Sequence, residues 1–161
     1  MPDPGPFDRH LDRNAANYVP LSPLSLLRRS ARLYPDKTAV IHGERRYAYL
    51  EFFQRVRRLA SALRRQGVAV GDTVAVMAPN VPALLEAHFG VPLAGAVLNA
   101  LNVRLDAGTI RFILGHGGAR VLLSDREFSP VIAEALAGLD DPPVVIDIDD
   151  PLGAGGERLG T

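Results

Sequence analysis

Gly71-Asp72-Thr73-Val74-Ala75-Val76-Met77-Ala78-Pro79-Asn80 is the stretch that decides the fold. A Gly-Asp turn leads into Thr73–Met77, a run with no polar alternation. A strand with one wet face alternates apolar and polar residues, whereas a strand covered by helices on both faces does not, and that is the habit of parallel sheets. Pro79-Asn80 ends the strand, and Val81 to about Gly90 reads as a helix through Leu84, Leu85 and His88. A buried strand feeding a helix is the opening of a βαβ unit.

The alternation continues downstream. Ala96-Val97-Leu98 reads as a strand, Asp106 to about Leu114 as a helix, and Arg120–Ser124 as a second all-apolar strand. Ser129-Pro130 is a cap followed by proline, ahead of a helix through Ile132, Ala135, Leu136 and Leu139. Val144–Ile148 is a further apolar strand. Upstream, Ser22-Pro23 opens a helix through Leu24, Leu27, Ala31 and Tyr34 that Pro35 closes. Thr38–His42, the turn Gly43-Glu44 and Arg46–Tyr49 read as a hairpin. From Leu50 the period becomes helical through Phe52, Val56, Leu59, Ala60 and Leu63, with Gly67 placed to end the helix. The expectation is an α/β fold: a mostly parallel, doubly wound sheet with flanking helices, an early β-hairpin and a disordered N-terminal arm. Its divisions are a flexible arm at 1–20, an α/β unit at 21–150, and a glycine-rich flexible tail or linker at 151–161.

With 161 residues, 47% of them hydrophobic, the chain can build one sizeable core; a domain of this length buries about 70% of the surface its unfolded chain exposes. Eighteen basic residues balance eighteen acidic ones. Net charge therefore offers no footprint for nucleic acid or an anionic membrane, and the local run Arg55, Arg57, Arg58, Arg64 and Arg65 reads as the solvated face of a helix. The absence of cysteine excludes disulfides, thiolate metal sites and a cysteine nucleophile. The first residues lack the basic and apolar blocks of a secretory signal. The longest apolar region, Val91–Leu101, is broken by Pro92, Gly95 and Asn99, so no transmembrane segment is expected. A cytoplasmic protein is the expectation.

The ordered set of segments resembles the opening of adenylate-forming, AMP-binding acyl-CoA synthetases. It comprises Pro20–Leu27, Tyr34–Val40, Leu59–Leu63, Gly71–Asn80, Glu86–Gly90, Ala94–Asn102 with Arg104-Leu105, and Val121–Asp125. The resemblance runs from about Asn17 to Asp150 and is greatest to the medium- or long-chain fatty-acyl branch. It implies a two-step reaction in the parent enzyme. A carboxylate attacks ATP to give an acyl-adenylate and pyrophosphate, and coenzyme A then displaces AMP to give a thioester. It implies ATP, Mg and coenzyme A as the parent's cofactors, and the rest of the adenylating domain and a carboxylic acid as partners, with no nucleic acid. A triphosphate loop of this family is rich in Ser, Thr and Gly and ends in Pro-Lys-Gly, because small residues admit phosphate to backbone N–H groups and lysine supplies charge. No such run occurs. Gly153-Ala154-Gly155-Gly156-Glu157 has the glycines without hydroxyls or lysine and reads as a linker. No catalytic, cofactor-binding or metal residue is therefore assigned, and the segment is expected to be inactive alone.

Other candidates have ordinary readings. Gly115-His116-Gly117-Gly118 has the look of an esterase oxyanion loop, but no Gly-x-Ser-x-Gly elbow accompanies it, and helix termination accounts for the glycines. His10, His42, His88 and His116 have no second ligand at metal spacing. Asp147, Asp149 and Asp150 follow a strand and invite a divalent cation, with turn chemistry before Pro151 as the rival. Arg104 and Arg111 are the basic residues nearest a strand-end crevice, with solvated side chains as the rival. The competing function is a stand-alone doubly wound module that binds a partner without catalysis.

Overall fold

The computed structural model describes residues 14, 16, 18, 19 and 21–161. The arm read at 1–20, with His10, lies almost entirely outside them. Helix α1 (Pro23–Leu33) starts on a capping box: Ser22 accepts from the Ser25 amide, and the Ser25 hydroxyl faces the Ser22 N–H, with Pro23 in the first turn. Strands β1 (Thr38–His42) and β2 (Arg45–Ala48) pair antiparallel. Tyr49, expected in the second strand, instead begins α2 (Tyr49–Arg65), which ends at Gln66 ahead of Gly67 at φ 82°.

Then come β3 (Thr73–Met77), α3 (Pro82–Leu93), β4 (Val97–Ala100), α4 (Ala107–His116), β5 (Ala119–Asp125), α5 (Ser129–Leu136) and β6 (Val144–Ile148). A 3₁₀ turn, Arg126–Phe128, precedes α5, so Ser129 lies inside the helix rather than capping it. Its hydroxyl donates to the Glu157 carbonyl at 2.6 Å.

The four later strands form one parallel sheet in the order β4-β3-β5-β6. Its period of two splits β3 cleanly. Val74 and Val76 join Val121 and Leu123 beneath α2 and α3, through Ala60, Leu63, Ala87 and Val91. Ala75 and Met77 join Leu122 on the other face, beneath Ile110 and Leu114 of α4 and Ile132 and Ala135 of α5. Both faces are covered, which is why these strands carry no polar alternation. Leu63, Ile110 and Ile132 have no measurable exposure, and burying each is worth roughly 1.5–3 kcal/mol.

A third, smaller cluster of Leu27, Phe52 and Val56 seats α1 and the hairpin on α2. Arg55 clamps this corner. Its Nε donates to Glu86 Oε1 of α3 at 2.5 Å, and its guanidinium lies 4.7 Å from the centroid of the Tyr47 ring. The hydrogen bond to Glu86 holds the guanidinium above its ordinary pKa, against the opposing effect of burial.

Candidate functional site

The chain leaves β3 for α3 on one face of the sheet and leaves β5 for α5 on the other. Between two such strands the connections diverge and open a crevice at their carboxyl ends, the place where doubly wound sheets hold ligands. Ser124 and Asp125 end β5 there, and each is 2% exposed. Asp125 Oδ1 accepts the Glu127 N–H at 3.2 Å, while Oδ2 is buried with no hydrogen-bond partner among the described residues.

Residues 149–157 cross this edge as a strap. Asp150, its side chain 5% exposed, takes His42 Nε2 at 3.0 Å and Arg45 at 3.5 Å from the hairpin. A carboxylate only accepts, so Nε2 of His42 carries the hydrogen. Asp149 takes Arg126 at 2.8 Å and Arg158 at 2.6 Å. Arg126 also donates to the Gly156 carbonyl. Beyond the strap, Asp147 accepts the N–H groups of Leu159 and Gly160, and Thr161 pairs with the backbone of β6. Beside the strap, a hollow of about 360 Å³ lies between β1 and the start of α3, walled by Val40, His42, Asn80, Val81, Leu84 and His88.

The residues singled out from sequence are dispersed. Arg111 caps α5, donating to the carbonyls of Ala135 at 3.1 Å through Nε and Glu134 at 3.0 Å through Nη2. Arg104 lies exposed in the turn after β4. His116 stacks on Phe112 at the end of α4, where Gly117 and Gly118 end the helix. His88 Nδ1 lies 2.8 Å from the Leu84 carbonyl. Asp147 within β6 and Asp149 and Asp150 after it are engaged by arginines, His42 and backbone amides, and among the described residues no group of three or more His, Asp or Glu can hold a metal ion. The Gly153–Glu157 loop presents carbonyls to Arg126 and Ser129. The orphaned Asp125 oxygen had no signal in the sequence beyond its place at the end of an apolar strand.

Fold and edge together define a doubly wound parallel α/β unit whose polar groups gather at the carboxyl ends of its strands. Residues 27–158 match the family of AMP-binding enzymes, and the chain belongs to that family. An acetate–CoA ligase of Humulus lupulus is 49% identical over 147 residues, covering 87% of this chain and 26% of the relative. A peroxisomal benzoate–CoA ligase of Arabidopsis thaliana is 46% identical over 121 residues, 75% of this chain and 21% of the relative. Among solved structures, a protein of Rhodopseudomonas palustris described as a long-chain-fatty-acid CoA ligase superposes with a TM-score of 0.75 at 33% identity, over 84% of this chain and 35% of that one. The chain thus spans about a quarter of the length of the curated relatives it matches.

Proposed function

We propose that this chain is the N-terminal α/β subdomain of an ATP-dependent acid–CoA ligase, and that it serves the reaction by architecture. The observation that carries the reading is the family match over residues 27–158 together with 49% identity to an acetate–CoA ligase. In the parent enzyme, carboxylate and ATP give acyl-adenylate and pyrophosphate, and coenzyme A then takes the acyl group and releases AMP. The groups that handle ATP, Mg and coenzyme A belong to the remainder of the adenylating domain. This chain supplies a rigid sheet and the strapped edge on which that remainder packs, and is inactive alone.

Short or aromatic acids are the favoured substrates, because the curated relatives are named for acetate, butyrate and benzoate. A medium- or long-chain fatty acid is the second reading, supported by the description of the Rhodopseudomonas palustris structure. Fatty acid metabolism in the cytoplasm is part of that second reading, although several plant relatives are named as peroxisomal. The test is an acid panel from acetate to palmitate, with benzoate, on the intact polypeptide that carries this chain. Acyl-CoA and AMP should form in equal amounts, fastest with a short or aromatic acid. Formation of neither product from any acid rejects the ligase reading.

A further inference from the structure

The arginines of α1 and α2 lie far apart in the sequence and together in the fold. Arg28, Arg57, Arg64 and Arg65 surround a hollow of about 570 Å³ floored by Phe53 and Leu93. Arg28 also borders a second hollow of about 480 Å³ with Arg29, Arg32, Val19 and Leu33. Among the described residues, no carboxylate lies within 4 Å of any of these six arginines. Arg64 is committed to the carbonyls of Leu93 and Ala94, and Arg65 to Ser61. Arg28, Arg29, Arg32 and Arg57 face solvent. The net charge of zero hides this separation, because many balancing acids, such as Asp140, Asp141, Asp147, Asp149 and Asp150, fall near the other end of the chain.

Two of the side chains exposed beside the α1 arginines are aliphatic, with Ser25 between them. Val19, 79% exposed, and Leu33, 51% exposed, border the same hollow as Arg28, Arg29 and Arg32. Basic groups interleaved with exposed aliphatic ones suit a bilayer interface, where arginines meet headgroup phosphates and aliphatic tips enter the acyl boundary. A nucleic acid offers the arginines the same phosphates but gives Val19 and Leu33 nothing to bury against. No helix among the described residues is long and apolar enough to cross a membrane, so the contact is one of lying on the surface.

We propose that the α1–α2 face docks on an anionic phospholipid surface through Arg28, Arg29, Arg32 and Arg57, with Val19 and Leu33 entering the interface. The test is co-sedimentation of the intact polypeptide with vesicles of phosphatidylglycerol and phosphatidylcholine, against phosphatidylcholine alone, at low and high salt. Partition should require the anionic lipid and fall steeply with salt. Each interfacial arginine strengthens such binding about five-fold, so Arg28→Gln/Arg29→Gln/Arg32→Gln should weaken it by roughly a hundred-fold. The control Arg46→Gln/Arg104→Gln/Arg120→Gln removes the same charge elsewhere and should change it little. Leu33→Ser should weaken binding a few-fold at a fixed salt concentration.

Equal losses in the two triple variants, equal binding to neutral vesicles, or binding to RNA without binding to vesicles each overturns the proposal. The six substituted arginines are exposed or half-buried, and circular dichroism checks that each variant is folded. Because the readout is partition and not thioester formation, this proposal and the ligase reading stand or fall separately.

Discussion

Replacing Arg55 by methionine should destabilise the domain by about 2–3 kcal/mol. Its partner Glu86 is 7% exposed and has no other cation within 4 Å among the described residues. Stranding one member of a buried pair costs about 3–5 kcal/mol. A third of the Arg55 side chain is in water, and solvent screening brings the figure down to about 2. Losing the Tyr47 contact adds about 0.5–1 kcal/mol. Glu86→Met should cost only about 1 kcal/mol, because the arginine left behind can turn to solvent. The double variant should be less damaged than Arg55→Met alone, with a coupling of about 1–2 kcal/mol between the sites. Urea unfolding followed by circular dichroism measures all four species. With a slope of about 2 kcal/mol/M, the Arg55→Met midpoint should fall by about 1 M at unchanged slope. Additive single effects, with coupling below about 0.5 kcal/mol, would refute the claim that this pair clamps α2, α3 and the hairpin together.

Three further outcomes follow from the packing and the carboxylates. Gly90→Ala should cost about 1–3 kcal/mol in the same assay, since an added Cβ would stand 2.7 Å from Leu59 Cδ2 where α3 crosses α2; an unchanged midpoint means that Leu59 moves aside freely. Asp125→Asn should be neutral or stabilising near pH 7, because Oδ1 keeps the Glu127 amide while the unpartnered Oδ2 gives way to an uncharged group; a loss above about 2 kcal/mol would show that Oδ2 holds a partner in solution. Asp106 is held below the usual carboxylate pKa by the Thr109 hydroxyl and then by the Thr109 amide. Its stabilising effect is therefore present above about pH 3.9 and is lost as pH falls through the lower folded value. The melting temperature of Asp106→Ala should lie below that of the parent chain at pH 6, and the two should converge toward pH 2.

What was legible in the sequence was local. Ser22-Pro23, the apolar Thr73–Met77 run and the stripe through Phe52, Val56 and Leu63 speak of caps, double burial and one buried helix face, and each is settled by neighbours a few residues away. The edge of the sheet was not legible, because its contacts join distant positions. His42 and Asp150 are separated by 108 residues, and Arg126 and Gly156 by 30. The 151–161 stretch reads as a tail from its glycines, yet Gly156 and Gly160 sit where a Cβ would strike the backbone of Arg126 and Val145. The contact of Arg111 with the α5 carbonyls was illegible for the same reason: nothing near it in sequence announces the end of a helix that starts at Ser129.

The account rests on this chain being one part of a ligase, and the intact mass of the native polypeptide tests that most directly. Because the match to the acetate–CoA ligase covers 26% of that relative, the account predicts a native species roughly four times heavier than the 17.3 kDa of these 161 residues. A native species of 17.3 kDa would contradict it and leave a free-standing α/β module in its place.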